Sequence, residues 1–161
     1  MGCGLDKSYE LFCLADPIFY DSPTREQGHA DLALAARPLP SGWMRTELGD
    51  WLMNHPDRVS LPPQGWKIHA SATLENAEEI LAAVWDYCVP KNIPFKFIRS
   101  IDFLFLRNAK YADRGSSGKF VTIYPKDEAQ AEVTLTQLGA ILEGQSGPYI
   151  LSDLQIGRAH V

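Results

Sequence analysis

Two short stretches carry residues of the types that move protons and bind anions. In Trp66-Lys67-Ile68-His69-Ala70-Ser71-Ala72, apolar and polar residues alternate with the period of a strand. Lys67 and His69 therefore leave one face, while Trp66, Ile68 and Ala70 take the other. A lysine beside a histidine can neutralise a phosphate and pass it a proton; the same pair also suits the solvent face of an edge strand. In Pro94-Phe95-Lys96-Phe97-Ile98 the two phenylalanines share a face and Lys96 takes the opposite one. Held among other cations in a central strand, such a lysine loses basicity and can act as a free amine that accepts a proton. On an edge strand it would snorkel to water instead. Pattern alone leaves both pairs of readings open.

The surrounding charge favours an anion. The chain has 161 residues and a net charge of −5. Between Lys91 and Lys126, however, eight Lys or Arg stand against only Asp102 and Asp113, leaving seven basic and eighteen acidic residues elsewhere. An acidic remainder of that size argues against nucleic acid and fits a small anion, although a solvated basic face would look the same. Arg114-Gly-Ser-Ser-Gly-Lys119 lacks the spacing and following helix of a nucleotide-binding loop. It reads as a hairpin turn or, failing that, a backbone nest for one phosphate oxygen. His29, His55 and His160 have no partners at ligand spacing, so no metal site is expected. Cys3, Cys13 and Cys88 suit neither a disulfide framework nor zinc, and suit a reducing cytosol.

Elements able to position these groups follow from periodicity. Residues 1 to about 64 read as short strands and loops, with turns at Asp21-Ser-Pro, Leu39-Pro-Ser-Gly and Leu61-Pro-Pro. Ala77, Ile80, Leu81, Val84, Trp85 and Cys88 form one helical stripe, closed by Pro90 and Asn92. Ser100 is placed to cap a short helix running to Arg107. Lys119–Tyr124 alternates as a strand that groups Phe120, Thr122 and Tyr124. A last helix begins near Asp127, buries Ala131, Leu135, Leu138 and Leu142, and stops at Gly144. The expected class is α+β: one domain, a mixed or antiparallel sheet and two or three helices. Composition is that of a globular domain, 45% apolar and 11% aromatic. No apolar run is long enough to span a bilayer and no secretion signal is visible, so a cytoplasmic protein without membrane contact is expected.

Four blocks taken together resemble a known family: Leu11-Phe-Cys-Leu-Ala-Asp-Pro-Ile-Phe-Tyr-Asp-Ser-Pro, Gln64-Gly-Trp-Lys-Ile-His-Ala-Ser-Ala-Thr, Ile93-Pro-Phe-Lys-Phe, and Asn108-Ala-Lys-Tyr-Ala-Asp-Arg-Gly-Ser-Ser-Gly-Lys-Phe-Val-Thr-Ile-Tyr-Pro. In this order they resemble the N-terminal lyase domain of class III lanthipeptide synthetases, over roughly Leu11 to Asp153. In that family kinase and cyclase domains follow, and the relatives of the lyase domain are phosphothreonine lyases secreted as bacterial effectors. The resemblance implies a cofactor-free β-elimination of phosphate from phosphoserine or phosphothreonine in a precursor peptide, leaving dehydroalanine or dehydrobutyrine. It assigns Lys96 as general base and His69 as general acid. Lys67, Arg114, Tyr124 and Lys126 become phosphate contacts, because the family's arginine precedes a tyrosine by ten residues with a lysine two further on. Residues 1–161 would then be the lyase domain. The tail Gln155-Ile-Gly-Arg-Ala-His-Val departs from the family pattern after Asp153, so truncation at that end is expected and Arg158 does not fill the place of the family's further phosphate arginine. A non-catalytic module that binds phosphopeptide or leader peptide is the alternative.

Overall fold

The computed structural model describes residues 31–109, 112–150, 152–153, 155–156 and 159–160. The Leu11–Pro23 block, Cys3, Cys13, His29 and Arg158 lie outside them. A 3₁₀ turn (Ala33–Ala36) leads into β1 (Trp43–Leu48) and β2 (Trp51–Pro56), joined as an in-register hairpin. Gly49 turns this hairpin at φ +66, the left-handed conformation that the first residue of a tight hairpin turn requires. Then follow β3 (Ile68–Ala70), α1 (Ala77–Cys88), β4 (Phe95–Ile98), α2 (Ile101–Asn108), β5 (Val121–Ile123), α3 (Glu128–Ile141), β6 (Gln155–Ile156) and β7 (Ala159–His160).

Among the described residues every strand pairing is antiparallel, in the order β1-β2-β4-β5-β3, extended by the two-residue strands β7 and β6. Sheet and helices together make the expected α+β class, with three α-helices among the described residues. The alternation expected from Trp66 begins only at Ile68. Trp66 precedes the ladder and is 45% exposed, because no strand partner holds it.

The core lies on one face of the sheet. Phe95, Phe97, Val121, Ile123, Ile68 and Ala70 are all buried there, and Trp85 of α1 packs edge-on to Phe95 at 5.6 Å. The whole predicted stripe of α1 is buried, Cys88 included. Its thiol pKa is pushed above the usual range by burial, so it packs as a small apolar side chain. α3 docks beside α1, where the Tyr87 hydroxyl donates to Gln137 at 2.9 Å. Two caps fix helix starts that matter for the opposite face. The Ser100 hydroxyl accepts from Phe103 N–H at the start of α2, and the Asp127 carboxylate from Gln130 N–H at the start of α3. Losing either cap costs about 1 kcal/mol.

Candidate functional site

Antiparallel pairing puts residues opposite one another on the same face of a sheet. Lys96 of β4 pairs with Thr122 of β5, and Thr122 pairs with His69 of β3. The three side chains therefore form one row on the face away from Phe95 and Phe97. β4 and β3 are both inner strands, so neither Lys96 nor His69 projects from an edge. His69 is only 7% exposed, whereas Lys67, which precedes β3, is exposed.

Lys96 is half-buried, with its ammonium 4.5 Å from the centre of the Trp51 ring. Its pKa is lowered, first by burial and then by repulsion from Lys67, Arg107 and Lys119, with Asp50 opposing. Arg107 of α2 joins this arrangement. It binds the Asp50 carboxylate at 2.6 Å and approaches the same Trp51 ring at 5.7 Å. The Asp50 turn, Trp51 and the end of α2 thus hold Lys96 from one side.

His69 is held from the other. Its Nδ1 hydrogen-bonds the Asp153 carboxylate, which as a pure acceptor fixes the proton on Nδ1 and leaves Nε2 for other partners. Lys119 lies 3.4 Å from the other Asp153 oxygen, which also accepts from the Ser152 hydroxyl at 2.8 Å. Burial, then Lys119, then Lys67 drive the His69 pKa down to about 4, against the raising effect of Asp153. For Asp153, burial works upward, but Ser152, His69 and Lys119 together keep its pKa below the usual carboxylate value.

The cluster holds four cations, Lys67, Lys96, Arg107 and Lys119, against two carboxylates, Asp50 and Asp153. Its net charge is positive whether or not Lys96 carries its proton, which suits a phosphate. Among the described residues no group of three or more His, Cys, Asp or Glu could hold a metal ion.

The other predicted contacts scatter. Tyr124 follows β5 on the face of Thr122, is half-buried, and has its pKa raised by burial. Lys126 is exposed and lines a groove with Tyr87, Lys91 and the first turns of α3. Arg114 is exposed on the loop between α2 and β5. That loop joins a helix to a strand, so the hairpin reading of Arg114–Lys119 is corrected. The nest reading is corrected too, because the backbone amides are already used. Gly115 N–H donates to the Asp113 carboxylate, Ser116 and Ser117 to the Asp113 carbonyl, Gly118 to Arg107 and Lys119 to Ser116. Sequence reasoning missed Asp50, Trp51, Arg107, Lys119 and Asp153 as parts of this site. Arg107 and Lys119 stood in the basic window, but nothing local distinguished them.

Comparison with known proteins follows the same line. A family model described as RamC, N-terminal domain, matches residues 31–161. A relative named probable SapB synthase, from Streptomyces coelicolor, is 51% identical over 161 residues; the match takes in 97% of this chain and 17% of the relative, so the chain spans about a sixth of that protein's length. The fold is similar to the type III effector and phosphothreonine lyase OspF of Shigella flexneri, at a TM-score of 0.56 and 13% identity over 76% of this chain and 70% of that one. It is similar also to the VirA (SpvC) phosphothreonine lyase effector of Chromobacterium violaceum, at 0.56 and 14% over 83% and 73%. With a model match over most of its length and a fold shared with phosphothreonine lyases, this chain belongs to the family of the RamC N-terminal domain.

Proposed function

We propose that the chain is the phosphoserine/phosphothreonine lyase domain of a class III lanthipeptide synthetase, acting in the cytoplasm on a precursor peptide phosphorylated by a kinase domain of the same polypeptide. The observation that carries this reading is the row Lys96–Thr122–His69, which sets a lysine of lowered basicity and a carboxylate-held histidine two strands apart over a cationic cluster. Lys96, as free amine, takes the Cα proton of the phosphorylated residue. The electron pair forms the Cα–Cβ double bond, the Cβ–O bond breaks, and His69 Nε2–H protonates the departing phosphate. The products are dehydroalanine or dehydrobutyrine and inorganic phosphate, which the cyclase domain and solvent then receive.

His69 on its own is neutral at pH 7, given a pKa of about 4. A phosphate dianion beside Nε2 offsets the repulsion by Lys119 and Lys67 and favours the imidazolium, so substrate brings the acid into its working state. Acid and base catalysis of this kind contribute roughly 10²–10⁴-fold each. Lys67 and Lys119 flank the phosphate, and Tyr124 hydrogen-bonds to it or helps to position Lys96. Arg114 and Lys126, at opposite ends of β5 and in no ion pair among the described residues, supply further phosphate contacts. The reaction uses no metal or organic cofactor, since phosphate is a fair leaving group and the cations supply the electrophilic help.

The test is to incubate the chain with a phosphoserine peptide and weigh the product. Elimination removes phosphoric acid and leaves an alkene. Hydrolysis returns serine, one water heavier. Serine would overturn the reading, and tight binding with no turnover would make the chain a phosphopeptide-binding module instead.

A further inference from the structure

Thr122 occupies the middle of the catalytic row. It stands opposite Lys96 on one side and His69 on the other, each about 5 Å away at the backbone. Its neighbours in β5, Val121 and Ile123, are aliphatic and face the core. Thr122 is 2% exposed and its hydroxyl forms no hydrogen bond with any described residue, but that hydroxyl is not fully enclosed and unpaired as the Thr134 hydroxyl is. For strand formation and packing alone valine has the same shape, so the hydroxyl is a donor that the fold itself does not use. On the face shared with Lys96 and His69, that donor is available to a group that arrives with the substrate.

Lys96 and His69 stand on the two strands that flank β5, the Lys96 ammonium beside the Trp51 ring and His69 Nδ1 on Asp153. The atoms they serve, Cα–H and the ester oxygen, are separated by only the Cβ of the substrate. The space over Thr122 is where those atoms must lie. We infer that the Thr122 hydroxyl contacts the phosphoryl oxygens of the substrate directly, donating a hydrogen bond from the floor of the site between proton acceptor and proton donor. This rests on the lyase reading for its catalytic consequence, but the phosphate contact itself does not depend on turnover.

Thr122→Val and Thr122→Ser in the full chain separate the hydroxyl from the fold. Val preserves shape and strand preference, so thermal unfolding should match the parent. Binding of inorganic phosphate, followed by ³¹P NMR titration, should weaken about tenfold or more in Thr122→Val, as for a lost hydrogen bond to a charged group. Thr122→Ser should stay within about threefold by the same reasoning, since it keeps the donor. Elimination from a phosphoserine peptide should fall in step with binding in Val and recover in Ser. Phosphate affinity unchanged in Thr122→Val, or lost equally in both variants, overturns the inference, as does a parent chain that binds no inorganic phosphate. If the parent hydrolyses its peptide rather than eliminating, the lyase reading fails, while the phosphate titration still decides the role of Thr122.

Discussion

His69 Nδ1 and the Asp153 carboxylate meet in a hydrogen bond across 84 residues of chain. The contact fixes the histidine tautomer, aims Nε2 away from Asp153, and partly offsets the cations that disfavour the imidazolium. Removing that offset should make a poor acid of His69. In Asp153→Ala the His69 pKa, read from ring-proton NMR shifts, should fall below its parent value of about 4. Turnover should drop roughly 10²-fold, since an acid catalyst is worth about that much. A His69 pKa that rises in this variant would contradict the account.

Phosphate should act in the opposite direction. Titrating inorganic phosphate into the parent chain should raise the His69 pKa from about 4, because a dianion near Nε2 favours the charged ring. Lys119→Ala should raise it even without phosphate, since Lys119 lowers it through space. The same ring-proton titration reads both effects.

Acid stability carries the signature of a buried neutral histidine. The unfolded chain binds a proton at His69 near pH 6.5, whereas the folded chain accepts it only near pH 4. Stability is therefore fully present above about 6.5 and is lost as pH falls from there to about 4, by on the order of 3 kcal/mol. Denaturant melts at stepped pH should show this slope, and His69→Gln should flatten it.

The proton acceptor should separate from the phosphate clamp. Lys96→Ala should abolish elimination and leave phosphopeptide affinity nearly intact, because Lys96 works on a Cα proton. Arg114→Ala and Lys119→Ala should weaken phosphopeptide binding by about 1.5–3 kcal/mol each, as for lost hydrogen bonds to a charged group. Unphosphorylated peptide should bind all three variants alike. Calorimetric titration paired with turnover distinguishes the classes, and high residual turnover in Lys96→Ala would remove it from the role of base.

The local parts of this architecture were legible in sequence because each has a short-range cause. The stripe from Ala77 to Cys88 and the Ser100 and Asp127 caps are set by neighbours within a few residues. Strand order was not legible. β5 inserts between β4 and β3, and only that insertion sets Thr122 between Lys96 and His69. Asp153 gave no signal for the same reason, since its partner lies 84 residues away. The Arg114–Lys119 loop misled because its glycines and serines suit a nest or a hairpin, while Asp113, three residues before Ser116, gathers its amides instead.

The most direct measurement follows the Cα hydrogen itself. A phosphoserine peptide carrying deuterium at that Cα, incubated with the chain, should yield phosphate together with a peptide alkene that has lost the deuterium. Lys96→Ala should release neither. Phosphate released with the deuterium retained in serine would mean attack at phosphorus rather than proton removal at carbon, and would contradict the account.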